Sequence, residues 1–167
     1  LAEGWEVETV GKGLRRTIRC RQLIDCTGGA DIVGMIGLAR LREAETQPGT
    51  LIFAFGGYDA SKLDAGLIEN RYRQALREGH LKDGDYCYSE RQFIDFLKGS
   101  GANQQHVFGA DSSTSATKTQ ANIAGRASVL RLLRFVRSLP GCGGAKIVRI
   151  AFTEVERGTI TLPGFQT

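Results

Sequence analysis

The amino-acid sequence predicts an α+β protein in which a long helix packs on a mixed or mainly antiparallel sheet. Apolar and polar residues alternate over 5–10 and 16–20, on either side of Gly11-Lys12-Gly13, and this pattern predicts a β-hairpin. The longest helical pattern covers 115–139, after Ser and Thr residues suited to an N-cap and before Pro140-Gly141. This mixture of strands and helices is typical of the α+β class.

The first half of the chain is expected to supply strands, one glycine corner and two helices. The hairpin leads through Leu23-Ile24 into the corner Thr27-Gly28-Gly29, which precedes a short predicted helix over 31–37. Residues 50–55 are rich in β-branched and aromatic side chains and predict a third strand. Apolar residues at helical spacing predict a helix over 60–79, which ends at a glycine.

The second half is expected to hold a short helix over 91–98 and strands over 105–108, 146–155 and 158–162. The long helix should bury an apolar stripe made of Ile123, Ala127, Leu130, Leu133 and Val136. The sequence shows no internal repeat and no linker that would split it, and its length of 167 residues suits one domain.

Charge is distributed unevenly along the chain. The net charge is +4, and residues 113–150 contain seven Lys and Arg residues but no Asp or Glu. A solvated surface explains such a run, and so does a site for an anionic substrate or for the pyrophosphate of a dinucleotide. Nucleic acid is a weaker interpretation, because aromatic residues do not alternate with these basic residues as a base-stacking surface requires.

The four cysteines are scattered, and no Cys-x-x-Cys pair is present, so we expect no metal site. Cys20 and Cys26 adjoin apolar strand residues and are expected to be small buried thiols. A reducing cytoplasm fits this cysteine usage. The sequence shows neither a secretory signal peptide nor an apolar run long enough to span a membrane.

The glycine corner is the most informative stretch for function. Adjacent Gly28 and Gly29 allow a sharp turn and a close approach by another molecule. A helix that starts just after such a corner offers free N–H groups and a partial positive charge, which suit a phosphate-bearing ligand. A plain strand–turn–helix connection without a ligand is the alternative, since short glycine motifs often arise without a function.

Several segments resemble one protein family. Residues 23–31, Leu-Ile-Asp-Cys-Thr-Gly-Gly-Ala-Asp, resemble the "IDATGD-(A/G)-D" segment of FAD-dependent oxidoreductases of the two-dinucleotide-binding-domain type. Residues 47–59 resemble that family's "QP-x-TLMFRLGG-x-D" strand, and 106–111 with 122–126 resemble its next segment and long helix. Arg157-Gly158-Thr159 is similar to the start of its "RETRRIVG" segment. The similarity therefore covers most of the chain in family order.

The resemblance implies an interior fragment of a FAD-dependent oxidoreductase with part of a FAD/NAD(P)-binding flavoprotein fold. Residues 1–37 would form an edge of the FAD-binding domain, and 38–167 a portion of the substrate (cap) domain. Cofactor binding is implied for Thr27, Gly28, Gly29 and Asp31. The family's Gly-x-Gly-x-x-Gly loop and its C-terminal flavin-contacting segment have no counterpart here, so the fragment is expected to be inactive and not to retain FAD.

The partners expected from this resemblance are a small-molecule substrate and the remaining parts of the same flavoprotein. Apolar surface that those parts normally cover would be exposed in a fragment and would favour self-association. A non-catalytic binding module is the alternative function, with the basic region 113–150 holding an anionic partner.

Two residues are candidates for catalysis. His106 could act as an acid or base during substrate oxidation, although most single histidines have no catalytic role. Arg157 could hold a carboxylate substrate, and an ion pair with Glu154 or Glu156 is the competing explanation. Arg126 is expected to anchor the long helix to a carboxylate such as Asp111.

Overall fold

The computed structural model describes residues 3–41, 47–87, 91–102 and 105–152, which fall into two compact units. The described part of the first unit extends to Leu41. Within the described residues there are two small antiparallel sheets and a long helix, so the predicted α+β class is confirmed. The predicted strand over 158–162 lies outside the described residues.

The first unit is built around the predicted hairpin. Strands β1 (Trp5–Gly11) and β2 (Leu14–Cys20) pair antiparallel, with Val7 opposite Ile18. Gly13, with a φ of 75°, allows the tight turn between the strands. Strand β2 ends at Cys20, and Leu23-Ile24 connect the hairpin to the glycine corner.

The hairpin has one apolar face and one charged face. Residues directly opposite each other in an antiparallel pair lie on the same face. The register therefore gathers apolar side chains on one face, namely Trp5, Val7, Leu14, Ile18 and Cys20. On the other face, Arg19 pairs with Glu6 at 2.8 Å and Arg15 pairs with Glu8.

Nothing in residues 3–41 forms a buried core. Ile18 on the apolar face is 49% exposed, and Met35 in helix α1 (Asp31–Met35) is 84% exposed. Cys26 is exposed and Cys20 is only partly buried, so the prediction of two buried thiols is wrong: no second layer covers this part of the described structure. A two-stranded hairpin is at best marginally stable by itself, so this unit depends on more than its described residues.

The second unit has a three-stranded antiparallel sheet in the order β4–β3–β5, with β3 (Phe53–Gly56) between β4 (Gly101–Ala102) and β5 (Lys146–Ile150). The predicted strands over 50–55 and 146–155 are observed in shorter form, since β3 begins at Phe53 and β5 ends at Ile150. Residues 153–155 lie outside the described residues. The strand predicted over 105–108 is wrong. Val107 makes only an isolated bridge with Gly49, and so too few hydrogen bonds to extend the sheet.

Aromatic rings fill the core of the second unit. Phe53 and Phe55 of β3 are buried against Phe96 of α3 (Phe93–Lys98), with ring centroids 6.0 and 6.1 Å away. Phe93 stacks on Phe96 at 4.8 Å. Each fully buried Phe contributes about 1.5–3 kcal/mol by leaving water, so this cluster is a main source of the unit's stability.

Helix α2 (Ala65–Arg77) follows the sequence prediction at its C-terminal end. Gly79 has a φ of 73°, and the N–H of His80 donates to the carbonyl oxygen of Ala75, as in a glycine-capped helix. Glu69 links this helix to the next, because its carboxylate accepts the N–H of Phe93 at 3.0 Å. None of the helices that the structure describes is long and apolar enough to cross a lipid bilayer.

Helix α4 (Ser115–Ser138) is the long predicted helix. The hydroxyl of Thr114 accepts the N–H of Thr117 at 3.1 Å, and Thr117 accepts that of Thr114 at 3.2 Å, which forms a capping box. This confirms the prediction that the Ser and Thr residues before the helix supply its N-cap.

The buried face of α4 differs from the predicted stripe. Ile123 and Leu130 are 55% and 45% exposed, whereas Gly125 and Ser128 are buried. A Cβ at Gly125 would lie 3.2 Å from the Cβ of Leu51, so glycine lets the helix come close to that residue. The last two residues of the predicted stripe are buried as expected, and small or polar residues complete the packed face nearer the start of the helix.

Candidate functional site

The glycine corner of the first unit is held by side chain–backbone hydrogen bonds. One carboxylate oxygen of Asp25 accepts the N–H and the hydroxyl of Thr27 at 2.9 and 2.6 Å, and the other accepts the N–H of Val33 at 3.1 Å. The hydroxyl of Thr27 accepts the N–H of Asp31 at 2.8 Å. The Thr27 hydroxyl, followed by the backbone N–H groups, lowers the pKa of Asp25. Asp25 and Thr27 thus fix the shape of the corner.

The backbone of the corner presents consecutive N–H groups. Gly28 has a φ of 82°, and Ala30 has φ 50° and ψ 41°, so left-handed residues flank Gly29. Among the described residues, no acceptor takes the N–H groups of Gly28, Gly29 or Ala30. A left-handed conformation at a non-glycine residue such as Ala30 is strained, and strain of this kind is concentrated at functional sites. Successive free N–H groups in a turn form a concavity that suits an anion.

Helix α1 contributes less than the sequence predicted. It ends at Met35, within the predicted span of 31–37, and is too short to build up a large dipole. The N–H groups of Asp31 and Val33 in its first turn are already bonded to Thr27 and Asp25. Any anion at this corner would therefore be held by the loop N–H groups that precede the helix.

Arg40 joins the corner, and the sequence analysis did not identify it. Its Nη1 lies 3.8 Å from the Oδ1 of Asp31 and donates to the carbonyl oxygen of Gly29 at 3.4 Å. A Cβ at Gly34 would lie 2.5 Å from the Cζ of Arg40, so the guanidinium occupies space that only glycine leaves open. The glycine in the middle of a short helix was the one sequence signal for this contact.

A separate groove of about 660 Å³ lies in the second unit. Its described lining comes from α2, from the 3-10 turn Asp83–Asp85 with the residues after it, and from the segment around His106. The lining side chains are Glu69, Tyr72, Arg73, Leu76, Asp83, Tyr86, Cys87, Arg91, His106 and Phe108. The structure therefore places His106 in a groove large enough for a small molecule.

The imidazole of His106 is partly buried and uncharged at neutral pH. Its backbone N–H donates to the carbonyl oxygen of Gly84 at 2.8 Å, which fixes the segment beside the turn. The ring lies edge-on to Phe108, with centroids 6.3 Å apart, and it has no hydrogen-bond partner among the described residues. Burial lowers the pKa of His106, so the neutral imidazole can accept a proton or a hydrogen bond.

Two further groups of the groove, the thiol of Cys87 and the hydroxyl of Tyr72, are protonated at neutral pH. Burial raises the pKa of Cys87 to about 11, and the thiol contacts the carbonyl oxygens of Asp83 and Gly84. Burial is also the main reason that the pKa of Tyr72 is raised to about 12. Cys87 is therefore not a thiolate nucleophile, and His106 is the better proton acceptor.

Most of the basic region 113–150 is surface, but part of it serves the fold. Arg131 forms a two-pronged contact with the buried carboxylate of Asp85, with nitrogen–oxygen distances of 2.7 and 3.0 Å. Ser128 donates to the same carboxylate at 2.5 Å. Arg137 donates to the carbonyl oxygen of Ala145 at 2.7 Å. These arginines are committed to internal contacts and are less available to an anionic partner.

Arg126 anchors α4, although not in the predicted way. Its Nη2 donates to the carbonyl oxygen of Phe152 at 2.7 Å. The helix is thus tied to the residues that follow β5, and a carbonyl oxygen takes the place of the expected carboxylate. Arg157, the second catalytic candidate, lies outside the described residues together with Glu154 and Glu156.

The predicted site residues fall into separate units. Thr27, Gly28, Gly29 and Asp31 belong to the first unit and His106 to the second. Within the described residues, no group of three or more His, Cys, Asp or Glu side chains is arranged to hold a metal ion.

Comparisons with protein-family models, with curated proteins and with solved structures found no match to this chain.

Proposed function

We propose that this chain is part of a FAD-dependent oxidoreductase and that the glycine corner of the first unit lies against a phosphate of FAD. One observation carries the proposal: the N–H groups of Gly28, Gly29 and Ala30 are consecutive and take no acceptor among the described residues. The resemblance of residues 23–31 to the flavoprotein segment supplies the identity of the ligand. In this proposal, residues 1–37 are an edge of the FAD-binding domain and 38–167 a portion of the substrate domain.

The residues of the corner fit a phosphate group in different ways. Gly28 and Gly29 would donate backbone N–H groups, and a Cβ at Gly28 would meet nothing within 4 Å, so the approach is open. The guanidinium of Arg40 would add further N–H donors. Thr27 is a positioning residue, because its hydroxyl is used inside the corner. Asp31 lies within reach of Arg40, which offsets its negative charge.

FAD would supply hydride transfer, and the protein would position the substrate and exclude water. His106 would serve this activity as a proton acceptor in the groove of the second unit. The chain by itself is expected to hold FAD weakly and to turn over no substrate, because the corner is one part of a dinucleotide site.

A pair of matched glycine substitutions tests the corner. Gly28 and Gly37 have φ values of 82° and 78°, and a Cβ at either position meets nothing within 4 Å. Gly28→Ala and Gly37→Ala therefore impose a similar backbone strain. We expect only Gly28→Ala to weaken FAD binding, by about tenfold, because the strained backbone at this position would turn one N–H group away from the phosphate.

Binding is measured by the anisotropy of flavin fluorescence during titration of the chain into FAD. Equal affinities for the two variants would contradict the role of the corner. A second measurement tests the wider proposal: the protein expressed from the complete reading frame should purify with flavin absorbance. A colourless protein that takes up no added FAD would overturn it.

The alternative function, a non-catalytic module that binds an anionic partner through 113–150, has less support. Arg126, Arg131 and Arg137 are engaged in internal contacts. Binding of a polyanion that weakens steeply with added salt would favour this alternative.

A further inference from the structure

The groove of the second unit has the composition of a small-molecule site, and its described lining indicates what it binds. We propose that this groove binds an uncharged aromatic molecule that carries a hydroxyl group, and that the imidazole of His106 accepts the hydrogen bond of that hydroxyl. The proposal concerns the second unit alone and does not depend on FAD binding in the first.

Aromatic rings form much of the groove. Tyr72 is held by the core, since its ring stacks on Phe93 at 4.7 Å and meets Tyr86 edge-on at 5.7 Å. Phe108, on the His106 side, is 65% exposed although it is large and apolar. The groove is thus lined by rings that the core holds in place and by one exposed ring. This lining favours a ligand with an aromatic ring, because such a ligand can make stacked or edge-on contacts with them.

The charges of the described lining cancel. Glu69 and Arg73 form an ion pair at 2.9 Å, and the lining includes one further acid and one further base, Asp83 and Arg91. His106 adds no charge at neutral pH, because burial lowers its pKa. The described lining therefore has no net charge that would repay an ion for its lost hydration, which favours an uncharged ligand.

The polar groups of the groove match a hydroxyl. The thiol of Cys87 contacts backbone carbonyl oxygens, and the hydroxyl of Tyr86 donates to the carbonyl oxygens of Arg91 and Gln92. The imidazole of His106 and the hydroxyl of Tyr72 have no hydrogen-bond partner among the described residues. A ligand hydroxyl can donate to the imidazole and accept from a second group, so it can pair partly buried polar groups that have no partner among the described residues.

Small probes of matched shape test this proposal by NMR titration of the chain. We expect p-cresol to bind with about tenfold higher affinity than 4-methylanisole, which cannot donate a hydrogen bond, and more tightly than benzoate. The amide resonances of His106 and Phe108 should shift. Benzoate binding at the groove as tightly as p-cresol, or the absence of any groove shift at the solubility limit, would overturn the proposal.

Substitution of each of the two histidines in turn tests whether the preference for p-cresol depends on a hydrogen bond to His106. His106→Phe keeps an aromatic ring in the groove but removes the acceptor, so p-cresol and 4-methylanisole should then bind equally. His80→Phe is the control, because His80 lies on an exposed surface beside Glu78 and outside the described lining. If His106→Phe keeps a native amide spectrum and still prefers p-cresol tenfold, His106 is not the acceptor and the proposal fails. If His106→Phe does not fold, Phe108→Ala should weaken both probes, and unchanged binding would overturn the proposal.

Discussion

The two units of this protein differ in how their apolar residues are used. In the second unit, phenylalanine rings from β3 and α3 are buried in one core. In the first unit, the hairpin has an apolar face that includes Ile18, and none of residues 3–41 is buried. Both units follow the same alternation rules, but within the described residues a second layer covers the apolar face in the second unit alone. Regular patterning therefore predicts an element, and whether that element is stable depends on what covers it.

The two units also differ in how they hold their candidate functional groups. In the corner of the first unit, the N–H groups of Gly28, Gly29 and Ala30 have no acceptor among the described residues. The groove of the second unit places the partly buried His106 and Tyr72 on a packed support. The first arrangement depends on a ligand or on further protein to complete it, whereas the second is preformed by the core. Substitutions should affect the two units very differently.

The largest expected effect is at the buried ion pair of the second unit. Arg131→Met removes the partner of the buried Asp85 carboxylate and should lower the free energy of unfolding by about 3–5 kcal/mol. Arg134→Met, one turn further along the exposed side of α4, should change it by less than about 0.5 kcal/mol. Urea unfolding followed by near-ultraviolet circular dichroism of the tyrosines measures both. Equal losses in the free energy of unfolding would show that the Asp85–Arg131 ion pair does not hold the turn Asp83–Asp85 to α4.

A pair of identical substitutions compares the units directly. Leu132 is fully buried in α4, and Leu14 is half-exposed in the hairpin. Leu132→Ala should cost about 2–5 kcal/mol by leaving a cavity, and Leu14→Ala less than about 1 kcal/mol. Trp5 is the single tryptophan of the chain, so its fluorescence reports on the first unit. A large loss for Leu14→Ala in the Trp5 transition would show that the hairpin is buried in solution.

The smallest expected effect is on pH dependence. Asp25 and Asp59 have the same local arrangement, because each accepts the N–H and the hydroxyl of the residue two positions later, Thr27 or Ser61. In both, the hydroxyl of that residue lowers the pKa of the carboxyl below its ordinary value of 3.8. Stabilisation of each turn is therefore present above pH 3.8 and is lost as pH falls through the lowered pKa.

Thr27→Val and Ser61→Ala should each raise the pKa of the neighbouring carboxyl, measured by NMR titration of the carboxyl carbon. Only Thr27→Val should also weaken FAD binding, since only that turn shapes the glycine corner. If Ser61→Ala weakens FAD binding equally, the effect of Thr27 is not specific to the corner.

The sequence predicted the elements with local signals. Thr114 lies before a helix as an N-cap, Gly79 follows one as a C-cap, and the alternation around Gly13 produced a hairpin. These features depend on neighbouring residues alone, so they can be recognised without knowledge of the fold.

The features that the sequence did not predict are long-range contacts. The packed face of α4 depends on how closely Gly125 approaches Leu51, which no residue count shows. The 105–108 segment appeared to be a strand but has too few backbone partners. Arg40 reaches the corner because Gly34 leaves room, and the groove around His106 combines α2 with two loops. Each depends on which elements meet in space.

Hydrogen exchange of individual amides, with and without added FAD, tests the central claim most directly. Without FAD, amides of α4 should be strongly protected, and those of β1, β2 and residues 28–30 should exchange quickly. With FAD, protection should rise at residues 28–30 and in the hairpin, and it should remain unchanged in α4. Strong protection of the hairpin before FAD is added, or no gain at residues 28–30 afterwards, would contradict the account.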